Sequence, residues 1–481
     1  MKSNKITSEI IFFLGDKEVK INFLKDNISP TTTVLNYLRN NQNRKSVKEG
    51  CAEGDCGACT IVLVEAVNEN LKYRAVNSCI MFLPTLHGKQ ILTVEDLGNS
   101  THLHPVQEAM VETDASQCGF CTPGFTMSIF ALFKTNNNPE LEDIQNALSG
   151  NLCRCTGYRP IIDAAEKSCV YKGMDKFTGL EKITYNKLSS IKNGKNNVQI
   201  KTGEHKYFLP GDLKDMLNLK TEYPNAIIAG GTTDSGLLVT KKKENLFEII
   251  DISQIDELKN IEITENEYKI GSNVNLENLR IASENDFSAL FEMLSVFGSL
   301  PIRNRASLGG NLASASPIGD TIPVLMAYDA TIIAQSANVI KTVKIRDFIK
   351  SYRTTILKND EIITEIIIPK ILDESIIKSY KVSKRRDLDI STVSACFRLK
   401  LNSENIVESF NVFYGGMSAI TKNAEHTEKQ LIGKSWNREN VENAATFLEK
   451  DFQPISDARS GTEARILIAG NLLLKFYNDS K

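Results

Sequence analysis

The sequence predicts a multidomain α+β protein, on three observations. At 481 residues the chain exceeds one ordinary core and calls for roughly three or four domains of ~100–200 residues each. Eight of its ten cysteines crowd between Cys51 and Cys155, in a stretch that reads as short strands first and helices afterwards. Two runs of small residues, AGGTTDSG and SLGGNLASASPIGD, lie farther along, where backbone can pass very close to a ligand.

Hydrophobic residues make up 41% and charged residues 24%, the balance of a globular protein in water. The 57 basic residues nearly cancel the 59 acidic ones, so a net charge of −2 gives no reason to expect nucleic acid or an anionic membrane as partner. The opening apolar run, Ile10 to Leu14, is shorter than a signal-peptide core and is followed by Gly15-Asp16. No later stretch approaches the ~18 apolar residues of a membrane span. A cytoplasmic protein is expected, with thiols that stay reduced unless a metal holds them.

The first segment, 1–97, reads as a β-grasp domain. Two strands joined at Gly15-Asp16 open it. TTTVLNYLRNN follows as a threonine-capped helix with Val34, Leu35 and Leu38 on one face, and Thr60 to Glu65 is short and β-branched like a buried strand. Between helix and strand, GCAEGDCGACT gives Cys51-x4-Cys56-x2-Cys59, and Cys79 follows after nineteen intervening residues. This is the plant-type [2Fe–2S] spacing. Three thiolates on one tight loop must wrap a cluster, and Gly50, Gly54 and Gly57 tolerate the positive φ such a loop needs. A zinc site fits less well, since zinc favours C-x2–4-C pairs over this asymmetric triplet.

Residues 98–175 turn helical. Cys118-x2-Cys121 runs into Pro123 and GFTMSIFALFK, apolar nearly all round and therefore buried. PELEDIQNALSGN places Leu141, Ile144 and Leu148 at helical spacing. Cys153-x-Cys155 precedes PIIDAAEKSC, a third helix. Each cysteine pair sits just ahead of a helix N-terminus, where free N–H groups favour an anionic thiolate site. By spacing alone this second set is ambiguous between zinc and iron–sulfur. Cys169 and Cys396 stand apart, Cys169 reading as a small buried residue.

GCAEGDCGACT, QCGFCTPG and GNLCRCTGYRP together resemble the iron–sulfur part of the molybdenum hydroxylases, the family of xanthine dehydrogenase, aldehyde oxidase and carbon monoxide dehydrogenase. The resemblance implies one [2Fe–2S] cluster at Cys51, Cys56, Cys59 and Cys79. It implies a second, on a four-helix domain, at Cys118, Cys121, Cys153 and Cys155. Gln117 matches the position that touches molybdopterin in the catalytic part.

Residues 176–200, rich in Lys, Asn, Ser and Gly, read as a linker. Beyond it PNAIIAGGTTDSGLLV runs a short apolar strand into a glycine turn whose successive N–H groups form an anion nest. G-x-G-x-x-G and P-loop fingerprints are absent. Taken singly, each small-residue run is an ordinary loop; together they favour a large, flat, phosphate-bearing cofactor. The two runs resemble the FAD domain of the same family, of vanillyl-alcohol-oxidase type, over 201–374. The match implies that Ile227, Ile228, Ala229, Gly230, Gly231, Thr232, Thr233 and Asp234 line the FAD pyrophosphate and ribose with Ser307, Leu308, Gly309, Gly310 and Asn311, and that Asp320 adds a polar contact. It puts Phe297 on the isoalloxazine and Ile363 and Lys381 at further flavin positions. Without it, Phe297 and Ile363 would be read as core and Asp320 and Lys381 as surface charges. RRDLD departs from the family by placing Leu388 where an acid is expected near the flavin, with Asp389 one position on.

Residues 375–481 are expected to form a C-terminal α/β flavoprotein domain, with STVSACFRLKL and ESFNVFYGGMSA as strands and RENVENAATFLEKDF and SGTEARILIAGNLLLKFY as helices. The family's molybdenum-binding part is larger than this whole chain, so the molybdopterin and the base that activates water are expected on a large partner subunit, in a heterodimer that pairs into a dimer of heterodimers. The fusion of iron–sulfur and FAD parts resembles the small subunit of bacterial members. The implied role is to pass electrons from molybdenum through both clusters to FAD and NAD⁺ in purine oxidation. The alternatives are the same role in an aldehyde or N-heterocycle hydroxylase, a molybdenum-free NADH-dependent reductase, and a zinc-stabilised scaffold.

Overall fold

Alternation in EIIFFLGDKEVKIN builds the first hairpin. Glu9–Leu14 and Lys17–Asn22 pair antiparallel, and Gly15 takes the φ of 60° that the turn requires. The computed structural model describes residues 6–171, 175–192, 197–386 and 388–481. Residues 172–174 of the expected helical segment, 193–196 of the expected linker, and Asp387 of the RRDLD run lie outside the described residues.

The hairpin belongs to a five-stranded sheet with Gln90–Leu92, Thr60–Val67 and Asn70–Asn77. Glu9–Leu14 runs parallel to Gln90–Leu92, and the other pairs are antiparallel. Helix Val34–Asn40 lies on this sheet, capped by the Thr33 hydroxyl, which accepts from the Asn36 N–H at 3.2 Å. Val34, Leu35 and Leu38 are buried in one core with Ile10, Phe12 and Leu63, which is the β-grasp layout the sequence predicts.

Four helices follow: Pro105–Glu112, Thr122–Thr135, Leu141–Leu148 and Arg159–Cys169. Thr122–Thr135 forms the centre, with Phe125, Ile129 and Phe130 fully buried, as its all-round apolar character demands. Leu141 is a correction to the expected apolar stripe. It is 49% exposed, because as the first helical residue it has no preceding turn of its own helix to lie over. Pro105–Glu112 escaped the sequence reading although its signal was present: Pro105 at the first helical position and a capping box between His104 and Gln107.

The stretch expected as a linker holds a 17-residue helix, Lys176–Lys192. Its composition misled because what holds it lies elsewhere in the chain: Leu188 is buried in a core against which Phe177 and Ile191 pack, and a distant set of partners meets its capping residue. The Asp175 carboxylate accepts from the Thr178 N–H at 2.7 Å and hydroxyl at 2.6 Å, closing the first turn. It is also paired with Lys134 at 3.3 Å and with His104 Nε2 at 3.5 Å. Because His104 Nδ1 accepts from the Val106 N–H, its proton sits on Nε2 and points at Asp175. Burial opposes ionisation of Asp175, but the His104 and Thr178 hydrogen bonds and the Lys134 charge outweigh it and hold its pKa well below the ordinary 3.8. A depressed carboxylate pKa contributes stability above about pH 4 that is lost as pH falls through the folded value. Asp175→Asn is therefore expected to speed amide exchange in Lys176–Lys192 at neutral pH. Wild-type exchange there should rise toward the variant's only below about pH 4.

The chain divides into two compact units, Met1–Ile255 with Ser299–Ala306, and Asp256–Gly298 with Ser307–Lys481. Each unit is held by its own backbone pairing. In the first unit, Ile6–Thr7, Asn197–Thr202, His205–Leu209, Glu248–Asp251 and Ile227–Ala229 form one five-stranded sheet in that order, so the chain's first strand pairs with residues beyond 196. In the second unit, an antiparallel sheet of Ile261–Ile263, Glu267–Gly271, Ile362–Pro369, Thr331–Gln335 and Ile340–Lys344 is followed by a four-stranded one. That second sheet, Ile376–Val382, Val393–Leu401, Val407–Gly415 and Lys422–Asn423, shares a core with Arg438–Ala445 and Thr462–Asp479, the strands and helices expected there. Among the described residues no helix is long and apolar enough to cross a membrane.

Candidate functional site

The loop from Gly50 to Cys59 folds around sulfur. Cys51 Sγ accepts the backbone N–H groups of Glu53, Asp55 and Cys56, each at 3.4 Å. Positive φ falls on Ala52, Gly54 and Gly57, so Gly50 is a correction. It is required for space, because a Cβ there would stand 2.7 Å from Cys56 Sγ. Cys79 arrives on the turn Ser78–Ile80, tied back by the Ser78 hydroxyl to the Cys59 carbonyl at 2.7 Å. The Cys56 and Cys79 thiols donate to Cys51, which pulls the Cys51 pKa far below its ordinary value; Cys79 likewise donates to Cys59 and lowers it. Cys56 and Cys79 are raised in return, first by those same hydrogen bonds and then by burial.

The second set is built at two helix starts. Cys121 is the cap residue of Thr122–Thr135, and Cys153 and Cys155 lie just ahead of Arg159–Cys169. Cys118 pairs with Cys155, both exposed, and Cys121 with Cys153, both half-buried. Burial works against the Cys153 thiolate, yet the Thr156 hydroxyl at 3.2 Å and N–H at 3.5 Å hold its pKa below the ordinary value. Burial, then the bond to Cys153, pushes Cys121 up to about 12. Gln117 is exposed beside Cys118, as are Phe120 and Tyr158.

These donors fit a two-iron centre, which takes four thiolates, two to each iron. Among the described residues no three or more His, Cys, Asp or Glu side chains converge on one ion; the first set forms a chain Cys56–Cys51–Cys79–Cys59 and the second set two pairs. Gathering sulfurs of split basicity also suits a ligand set, because binding metal discharges every thiol proton. Cys169 is half-buried at the end of its helix and Cys396 fully buried in Val393–Leu401, its pKa raised by that burial; neither joins a set.

The two sets touch through backbone. The Leu152 N–H donates to the Cys56 carbonyl at 3.0 Å, joining the residue before Cys153 to a member of the other set. Beside it Asn151 Nδ2 donates to the Gly57 carbonyl at 3.1 Å, and Asn151 Oδ1 accepts from the Ser128 hydroxyl at 2.6 Å.

The residues expected at FAD fall on both units. In the first, Ile227–Ala229 leads into Gly230 and Gly231. The Gly231 backbone runs so close to Arg305 that a Cβ would stand 1.7 Å from the Arg305 carbonyl oxygen. Thr232 takes a φ of 62°, and its hydroxyl donates to the Ile80 carbonyl at 2.8 Å, one residue from Cys79. Among the described residues no acceptor meets the N–H groups of Thr232, Thr233 and Asp234. Asn77 Oδ1 and Arg305 Nη2, buried without partners, line the adjoining surface with Gly231, Thr232 and Thr233. The free N–H groups of the glycine turn and Arg305 Nη2 are donors that fit a phosphate-bearing group, whereas Asn77 Oδ1 can only accept.

In the second unit Ser307 caps Leu308–Ala313, accepting from the Gly310 N–H at 3.2 Å. Gly309 has no room for a side chain, since a Cβ would stand 2.6 Å from Ser272 Cβ. Asn311 Oδ1 accepts from the Thr321 hydroxyl at 2.6 Å. Lys381 and Asp320, which the sequence alone would put on the surface, form a buried ion pair at 3.0 Å, with side chains 4% and 5% exposed. Ser391 donates to the other Asp320 oxygen at 2.6 Å, and the Lys381 ammonium lies 5.9 Å from the centre of the half-buried Phe297 ring. Ile363 is buried in Ile362–Pro369. Asp389 is engaged by Arg385 at 2.6 Å. Lys381→Met would leave Asp320 charged, buried and without its cation. We expect a loss of about 3–5 kcal/mol in the second unit, read as a fall in its thermal transition, with Lys381→Met/Asp320→Leu losing less.

Family models match four successive stretches of the chain. A "2Fe-2S iron-sulfur cluster binding domain" matches 25–83, a "[2Fe-2S] binding domain" 93–166, an "FAD binding domain in molybdopterin dehydrogenase" 199–371 and a "CO dehydrogenase flavoprotein C-terminal domain" 378–480. The chain is 31% identical to a xanthine dehydrogenase of Emericella nidulans, over 98% of this chain and 38% of that one. It is 33% identical to a xanthine dehydrogenase of Dictyostelium discoideum, over 98% and 40%; it thus spans about two fifths of these relatives. A carbon monoxide dehydrogenase chain from Hydrogenophaga pseudoflava shares the fold over 57% of this chain and 96% of that one, with TM-score 0.54 at 20% identity. Two [2Fe–2S]-binding domains followed by an FAD-binding region define an iron–sulfur flavoprotein. It belongs to the molybdenum hydroxylase family, that of the xanthine dehydrogenases, as the electron-transferring iron–sulfur and FAD part of these oxidoreductases.

Proposed function

We propose that this chain is the small subunit of an NAD-dependent xanthine dehydrogenase, oxidising hypoxanthine and xanthine to urate with a large molybdopterin-binding subunit. In this reading Cys118, Cys121, Cys153 and Cys155 hold the first cluster, and Cys51, Cys56, Cys59 and Cys79 the second. Residues 227–234 and 307–311, with Phe297, Asp320, Ile363 and Lys381, serve FAD. When bound, two one-electron carriers and a two-electron flavin supply the conversion between one-electron and hydride chemistry.

The chain's own residues supply direction and continuity. Exposed Cys118 and Cys155, with Gln117 and Phe120 beside them, offer the first set to a partner, whereas Cys59 and Cys79 are buried. The observation that carries the reading is a hydrogen-bonded connection: the Leu152 N–H to the Cys56 carbonyl between the thiol sets, then the Thr232 hydroxyl of the glycine loop to the Ile80 carbonyl. Electrons that enter from a partner at the exposed set thus have a connected path toward the flavin side and NAD⁺.

Purification from the native cell tests this. The expected complex contains a large molybdopterin subunit, two [2Fe–2S] clusters and one flavin per small chain, and reduces NAD⁺ with xanthine or hypoxanthine. Activity confined to aldehydes or N-heterocycles would place it with another hydroxylase. Absence of the large partner would favour a free-standing NADH reductase, and colourless protein would sink the reading.

A further inference from the structure

A cation and an anion meet at the first ligand of the buried thiol set. Helix Ser235–Thr240 leads out of the glycine loop and lies against the turn that carries Cys79: a Cβ on Gly236 would stand 2.5 Å from the Ile80 carbonyl oxygen. Helix and turn therefore touch backbone to backbone, and the helix's final cap residue, Lys241, starts from a fixed point. Its ammonium donates to the Cys51 carbonyl at 3.1 Å and pairs with the Glu53 carboxylate at 3.0 Å. Glu53 in turn gives its own N–H to Cys51 Sγ at 3.4 Å. A cation from a segment 190 residues beyond Cys51 thus meets an anion two residues from that thiol.

An iron–sulfur centre gains a negative charge on reduction, and net charge around it is one of the determinants of its potential. We propose that Lys241 and Glu53 form an opposed charge couple that sets the potential of the centre held by Cys51, Cys56, Cys59 and Cys79. Lys241 raises the potential and Glu53 lowers it. The inference rests on the ligand assignment made above and concerns only how that site is tuned. Lys241 touches no reacting atom; it acts through the Cys51 loop, as a positioning and charge-bearing residue. Both side chains are nearly half exposed, so solvent and salt damp the effect.

The test is an EPR-monitored redox titration of the full chain, with the signal of this centre identified as the one that survives Cys153→Ser. Lys241→Gln is expected to lower its midpoint and Glu53→Gln to raise it. Each should change the equilibrium constant for reduction by roughly three- to tenfold, tenfold being about 59 mV for one electron. Lys241→Arg should stay near wild type, and added salt should shrink both shifts. Midpoints that do not move, that move in the same direction, or a signal lost in both neutral variants would overturn the proposal, the last by making the pair a scaffold. Wild-type protein with no second [2Fe–2S] signal would instead remove the ligand assignment itself.

Discussion

Cys153→Ser is expected to abolish one of two [2Fe–2S] EPR signals, halve the bound iron, and leave the FAD region able to oxidise NADH. The expectation follows from where Cys153 sits. Its sulfur is already held as an acceptor by the Thr156 hydroxyl and N–H, its own N–H donates to the Tyr158 hydroxyl at 3.1 Å, and it is adjacent to the Leu152 N–H that reaches Cys56. Serine keeps these hydrogen bonds and so keeps the loop, but its hydroxyl is a hard, weakly acidic donor in a site whose partners are soft thiolates. The change therefore separates ligation from folding. Electron delivery from the partner subunit to flavin should fall by at least about 100-fold, the upper range seen when only a ligand's surroundings are disturbed. NADH oxidation with an artificial two-electron acceptor should stay near wild type. Both EPR signals persisting in the variant would take Cys153 out of the ligand set, and loss of both would mean that the loop, rather than one cluster, had failed.

The thiol sites were legible because their information is local. Spacing marked the Cys51, Cys56 and Cys59 triplet, glycines marked the tight loop, and helix starts were written in Pro123 and Pro160, whereas the grouping of Cys118 and Cys121 with Cys153 and Cys155 came from the resemblance. The sequence was also read correctly for Val34, Leu35 and Leu38, whose spacing and threonine cap are contained in eleven residues. What escaped reading depends on partners distant in the chain. Nothing near Asp175 announces that His104 and Lys134 will meet it and fix a helix in lysine-rich sequence. Asp320 and Lys381 look like surface charges until strand Ile376–Val382 brings one to the other and burial excludes water from both. The pairing of Ile6–Thr7 with Asn197 and Val198 is likewise invisible, since neither stretch announces the other.

Gly124→Ala separates local from long-range control of the thiol sites. Gly124 lies in the first turn of Thr122–Thr135, and on helix propensity alone alanine there should stabilise by up to about 1 kcal/mol. Packing predicts the opposite. A Cβ at Gly124 would stand 2.2 Å from the Gly57 carbonyl oxygen, and a Cβ at Gly57 2.2 Å from the Gly150 carbonyl oxygen. Three glycines thus press three backbones together where the two cysteine loops meet, and Gly57 is further fixed by a φ of 69°. The Gly57 carbonyl cannot retreat without giving up its bond from Asn151 Nδ2, nor can Cys56 beside it shift without stretching its bond to Leu152. The obstruction is backbone, with no flexible side chain to move aside. Overpacking at such a site costs about 1–3 kcal/mol, and a broken buried hydrogen bond adds about 1–3 kcal/mol, so destabilisation should outweigh the propensity gain. The expected result is a lower melting transition for the iron–sulfur part and a weakened magnetic interaction between the two EPR signals, the helix itself intact by circular dichroism. A raised or unchanged transition would show that the loops can part without consequence, and that the continuous path from Cys153 to Cys56 is not what joins the two sets.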